Sequence, residues 1–95
     1  MSMDVTNSPD QHRYEARIDG ELAGFAEYRT TDRLVTFVHT EVLAEFEGRG
    51  VGSGLVRVAL DDVRATGRQV RAVCPFVKGY IERHPGEYRD LVESA

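Results

Sequence analysis

A chain of 95 residues, 41% hydrophobic and 29% charged, has the make-up of one globular domain and excludes collagen-like, low-complexity and mainly disordered proteins. Twelve Lys and Arg against sixteen Asp and Glu leave a net charge of −4. That balance argues against a general nucleic-acid binder, yet a local cluster of donors would still hold an anionic ligand.

Residues 1–12, with Asn7-Ser8-Pro9-Asp10, show no periodicity and are expected to form a mobile tail ahead of one domain over 13–95. Tyr14, Ala16 and Ile18 then alternate with Arg13, Glu15 and Arg17, the pattern of a half-buried strand. Asp19-Gly20 predicts a two-residue hairpin, because both central positions need positive φ. Leu22 to Tyr28 is the second predicted strand, Thr30-Thr31-Asp32 a turn, and Leu34 to Val42 the third strand, rich in β-branched and aromatic residues. From Ser53 to Thr66 the period changes: Leu55, Val56, Ala59, Leu60 and Val63 make one helical stripe, with Gly67 placed for a left-handed cap. Gln69 to Val73 reads as a strand that returns parallel through a right-handed crossover, and Phe76 to Arg83 as a helix stopped before Pro85. The order βββαβα predicts an α+β domain, close to α/β, with a mixed and mostly antiparallel sheet.

No apolar run approaches the roughly 20 residues of a membrane span, so no membrane partner is expected. The first residues lack the basic start and apolar stretch of a secretory signal. Cys74 is a single cysteine with no internal partner, which points to a cytoplasmic setting and to stability from packing alone, as a monomer or homodimer. Three histidines, at 12, 39 and 84, stand far apart, so no metal site is expected.

Gly48, Gly50, Gly52 and Gly54 occupy every second position between the third strand and the helix. Such a run costs backbone entropy. Either the chain needs a tight connection there, or the loop is a phosphate cradle, in which amides and a helix N-terminus face an anion. A dinucleotide fingerprint would need glycine at 53 or 55, where Ser53 and Leu55 stand. A nucleoside-triphosphate loop would need Gly-Lys-Ser/Thr, and the only lysine is Lys78.

Val42-x-Ala44-x-x-Glu47-Gly48-Arg49-Gly50-Val51-Gly52 resembles the acyl-CoA loop of the GNAT N-acetyltransferase superfamily, with Glu47 where Gln or Arg is typical. Phe37 to Val42, Ala72 to Val77 and Tyr80 to Pro85 extend the likeness to the small single-domain GNAT-like proteins, over about Tyr14 to Leu91. The resemblance implies a minimal fold without the two helices that usually follow the first strand. It also implies acetyl-CoA between the third strand and the parallel one. The loop residues Glu47, Gly48, Arg49, Gly50, Val51, Gly52, Ser53 and Gly54 would lie at the pyrophosphate, and the backbone of Thr40 and Val42 at the pantetheine arm. Lys78 is a further candidate phosphate contact.

The reaction so implied is acetyl transfer to an unidentified amine, including a protein amine. Cys74 is a candidate acyl acceptor, Tyr80 a candidate proton donor to the departing thiolate, and His39 and Glu41, two apart on one strand face, are candidate bases. Each also has an ordinary structural reading: a buried small thiol, a packed ring, a sheet histidine and a solvated carboxylate. The alternatives to catalysis are a non-catalytic acyl-CoA-binding or sensing module and a small interaction protein with a merely structural loop.

Overall fold

Asp19 and Gly20 both take positive φ, +51° and +88°, and turn the chain between two antiparallel strands, β2 (Arg13–Ile18) and β3 (Glu21–Thr30). In a computed structural model, residues 3–93 are described, and they form a five-stranded sheet in the order β1-β2-β3-β4-β5. β4 (Leu34–Val42) pairs antiparallel with β3, and β5 (Gln69–Ala72) pairs parallel with β4 after the crossover through helix α1 (Val51–Ala65). The helical stripe is buried as its spacing requires: Leu55, Val56, Ala59, Leu60 and Val63 all face the sheet core of Ala16, Ala26, Phe37 and Val70. Gly67 takes φ +78° just past α1, and its amide donates to the Arg64 carbonyl at 3.1 Å, the left-handed ending expected of it.

The first twelve residues depart from expectation. Met3–Ser8 is β1, an edge strand antiparallel to β2, and Pro9–Gln11 is a 3₁₀ turn. Met1 and Ser2 of the expected tail lie outside the described residues. The apolar alternation of β1 is only Met3 and Val5, because the next position holds Asn7, where the Tyr28 hydroxyl donates to its Oδ1 at 2.5 Å. The observed order is therefore ββββαβαα, with α2 (Pro75–Arg83) followed by a short α3 (Pro85–Tyr88). α2 starts one residue before the expected Phe76, since Pro75 suits the first helical position.

The helices share one face of the sheet. The Phe76 ring lies against Gly52, the Tyr88 hydroxyl donates to Asp61 at 3.1 Å, and Arg64 pairs with Asp90 at 2.8 Å, so α2 and the segment after it are tied to α1. The Tyr14 hydroxyl donates to Asp62 at 2.6 Å, and burial together with that carboxylate pushes the phenol up. On the other face, Arg13, Glu15 and Arg17 of β2 form an ion triad, with Glu15 accepting at 2.8 and 3.2 Å. The two arginines hold the Glu15 carboxyl below its ordinary range against its own burial. Among the described residues no helix is long and apolar enough to cross a membrane.

Candidate functional site

The site begins where two parallel strands part. β4 and β5 stay in register from Leu34↔Gln69 to Phe37↔Ala72, and there the ladder ends. The Phe37 carbonyl accepts both the Val73 amide at 3.1 Å and the Cys74 amide at 2.9 Å, which pins the base of the fork. Beyond it β4 runs on to Val42, paired only with β3. The Leu43 amide donates to Ala23 of β3 at 2.8 Å, and alternation along the strand then directs the Thr40 and Val42 amides to the opposite edge, into the gap. A strand edge left open inside a fold needs polar partners. An extended amide-bearing ligand would supply them.

The chain then crosses the end of the gap. A 3₁₀ turn over Ala44–Phe46 buries Phe46, and Gly48 and Gly50 follow with φ +80° and +75°. Both lie in the left-handed region, where glycine carries no steric cost. Gly50 is the N-cap of α1 and offers no side chain, so the first-turn amides have no cap. A cleft of about 410 Å³ is lined by Thr40 and Val42 on one side, the loop and Ser53 at its end, and Phe76 on the other side. These features fit an acyl-CoA: open amides for the amide-rich arm, and uncapped amides on a helix dipole for phosphate.

Two loop glycines prove to have packing reasons. The Gly54 amide already donates to the Gly50 carbonyl at 3.0 Å, so it is spent within the helix, and a Cβ there would run into the Met3 side chain of β1. At Gly52 a Cβ would stand 2.6 Å from Cζ of Phe76. Phe76 is itself 40% exposed and forms a wall of the cleft. Gly52→Ala is expected to destabilise the wild-type chain by about 1–2 kcal/mol, because crowding outweighs helix propensity. In a Phe76→Ala background the same change is expected to stabilise by about 0.8–1 kcal/mol. Urea unfolding of the four proteins checks this sign reversal, and an equal cost in both backgrounds would refute the steric link.

The catalytic candidates fall in three places. Cys74 is buried at the N-cap of α2, and its thiol reaches the Thr40 hydroxyl at 3.4 Å, bridging the fork beside the cleft. His39 and Glu41 lie on the helix-free face, opposite Thr40 and Val42; His39 Nε2 and Glu41 Oε1 are 3.3 Å apart, and the Phe25 ring is 6.1 Å from the imidazole. Tyr80 lines no part of the cleft: its ring stacks on His84 at 4.3 Å and tilts against Tyr88 at 5.9 Å, with burial first and Glu87 next pushing its phenol up. Lys78 lines a separate groove with Arg71 and Val92, on another side of α2. Glu47 and Arg49 are exposed at the loop, the Arg49 guanidinium 5.6 Å above the Phe46 ring. Sequence reasoning missed Phe46 and Phe76 as cleft walls. The signal for Phe76 was its place directly after Cys74-Pro75, at the opening of a helix.

The open sheet fork thus faces an uncapped, glycine-entered helix across one cleft. A family model described as GCN5-related N-acetyl-transferase matches residues 13–91, and the chain belongs to that family. It is 32% identical over 53 residues to Protein NATD1 of Gallus gallus and of Mus musculus, covering 56% of this chain and 48% of each of those. The chain thus spans about half the length of the curated relatives it matches. Its fold is similar to a GCN5-like protein from Staphylococcus aureus solved by NMR, with TM-score 0.71, 21% identity, and coverage of 97% of this chain and 89% of that one. It is also similar to N-acetylglutamate synthase from Neisseria gonorrhoeae, solved with coenzyme A and N-acetyl-glutamate, with TM-score 0.63, 19% identity, and coverage of 85% and 22%.

Proposed function

We propose that the chain transfers an acetyl group from acetyl-CoA to an amine. The observation that carries this reading is the open edge of β4 facing the uncapped N-terminus of α1 across one cleft. Family membership supports the acetyl donor, and the coenzyme A named with the Neisseria structure supports the choice of thioester. The pyrophosphate meets the amides of Val51, Gly52 and Ser53, and the pantetheine arm lies along Thr40 and Val42. The thioester then reaches the fork near Val38 and Cys74. The amine nitrogen bonds to the carbonyl carbon and the carbon–sulfur bond breaks. One amine proton, taken up through His39 and Glu41, is matched by a proton delivered to the sulfur, giving an amide and free CoA thiol.

Release of CoA thiol from acetyl-CoA, followed with and without a panel of amines, tests transfer. Amine-dependent release is expected. Release that no amine accelerates, from a chain that binds acetyl-CoA, would assign it instead to the non-catalytic binding module. Cys74→Ala separates the two routes: a rate within about twofold of wild type supports direct attack. Loss of transfer together with an acetyl mass on the wild-type protein supports attack through the thiol.

A further inference from the structure

The helix-free face of the sheet holds a polar groove of about 410 Å³ beside β4. It is built in part from the segment expected to be a tail. Gln11 and His12 form one wall, and the Tyr28 amide donates to the His12 carbonyl at 2.9 Å, locking that turn against β3. Glu27 and Arg29 form the floor, two apart on β3 and so on one face of the strand. Val38 closes the end.

Val38 connects this groove to the fork. The β3–β4 register passes from Glu27↔His39 to Tyr28↔Phe37, so Val38 is an extra, unpaired residue that bulges from β4. It stands one position past Phe37, where β4 and β5 part. The donor cleft on the helix side and the groove on the open side therefore approach each other at this bulge.

The charges in the groove select among amines. Glu27 lies opposite Arg13 in the sheet, but Arg13 is engaged by Glu15 at 2.8 Å and lies 4.6 Å over the Phe25 ring. Among the described residues no ion pair engages Glu27 or Arg29. A carboxylate and a guanidinium, side by side in one depression, match a ligand that carries both an ammonium and a carboxylate. His39 is the direct cross-strand partner of Glu27, which sets the candidate base next to an ammonium held there. We propose that this groove is the acceptor subsite and takes a small amine bearing a carboxylate, such as a free amino acid, with its ammonium at Glu27 and its carboxylate at Arg29. The inference rests on the acetyl-CoA reading for the donor side.

Amide NMR of the ¹⁵N-labelled chain, titrated separately with acetyl-CoA, free amino acids, n-butylamine, butyrate and a lysine-rich peptide, tests it. Amino acids are expected to shift the amides of His12, Glu27, Arg29 and Val38, and n-butylamine and butyrate to bind about tenfold more weakly or less. Glu27→Gln and Arg29→Gln are each expected to weaken the amino acid by about tenfold while the acetyl-CoA shifts at the glycine loop stay unchanged. Acetyl-CoA shifts at the loop without any amino-acid shift in the groove would overturn the subsite and leave the donor reading intact. Groove shifts from the peptide alone would overturn it in favour of a polypeptide acceptor. Failure of acetyl-CoA to shift the loop would remove the donor reading, and with it the acceptor role of the groove.

Discussion

Gly50→Asp is expected to weaken acetyl-CoA binding by about thirtyfold while the chain stays folded. Gly50 caps α1 with φ +75°, and a Cβ there would meet nothing within 4 Å. The substitution therefore carries only the left-handed strain, about 1–2 kcal/mol for an ordinary residue and less for Asp or Asn. Its carboxylate, however, would point into the place assigned to the pyrophosphate. Two unit charges about 4 Å apart repel by about 4 kcal/mol at an effective dielectric of 20, and solvent screening in an open loop leaves roughly half of that. Gly50→Asn matches the size and strain without the charge, so it is expected to retain most of the affinity. Calorimetric titration of the three proteins checks the comparison, and equal binding by the Asp variant would make the loop a mere connection.

Leu60→Ala is expected to cost about 2–5 kcal/mol in urea unfolding. Leu60 is fully buried on the α1 stripe, so its truncation leaves a cavity in the packed core. Against a total of about 5–15 kcal/mol for a domain, that is a large share of stability. Acetyl-CoA at about a hundred times its dissociation constant would return about 2.7 kcal/mol, because it binds only the folded chain. A variant rescued in this way would show that the helix holding the loop and the ligand it binds are one cooperative unit. A Leu60→Ala cost below about 1 kcal/mol would mean that the packing around α1 had been misjudged.

The elements that carried a period or a turn signal were legible in the sequence. The alternation of Tyr14, Ala16 and Ile18, the stripe from Leu55 to Val63, the Asp19-Gly20 turn and the Gly67 ending all follow from local chemistry. What escaped depends on contacts distant in the chain. β1 is invisible because Asn7 is satisfied by Tyr28, 21 residues away. The bulge at Val38 is a register property of two strands and leaves no mark on one of them. Four alternate glycines look alike in sequence, yet Gly48 and Gly50 serve positive φ, Gly52 makes room for Phe76 and Gly54 for Met3. Tyr80 lay on a helical stripe compatible with either packing or a cleft, and its ring packs against those of His84 and Tyr88.

The central claim is that the acyl donor lies between the open edge of β4 and the glycine loop. Amide chemical shifts recorded during an acetyl-CoA titration test it most directly. The expected result is one saturable set of changes at Thr40, Val42 and Gly50 to Ser53, with Asp61, Arg64 and Asp90 unmoved. Saturable changes confined to a second surface depression, lined by Asp61, Arg64, Glu87 and Asp90, or none at millimolar acetyl-CoA, would contradict it.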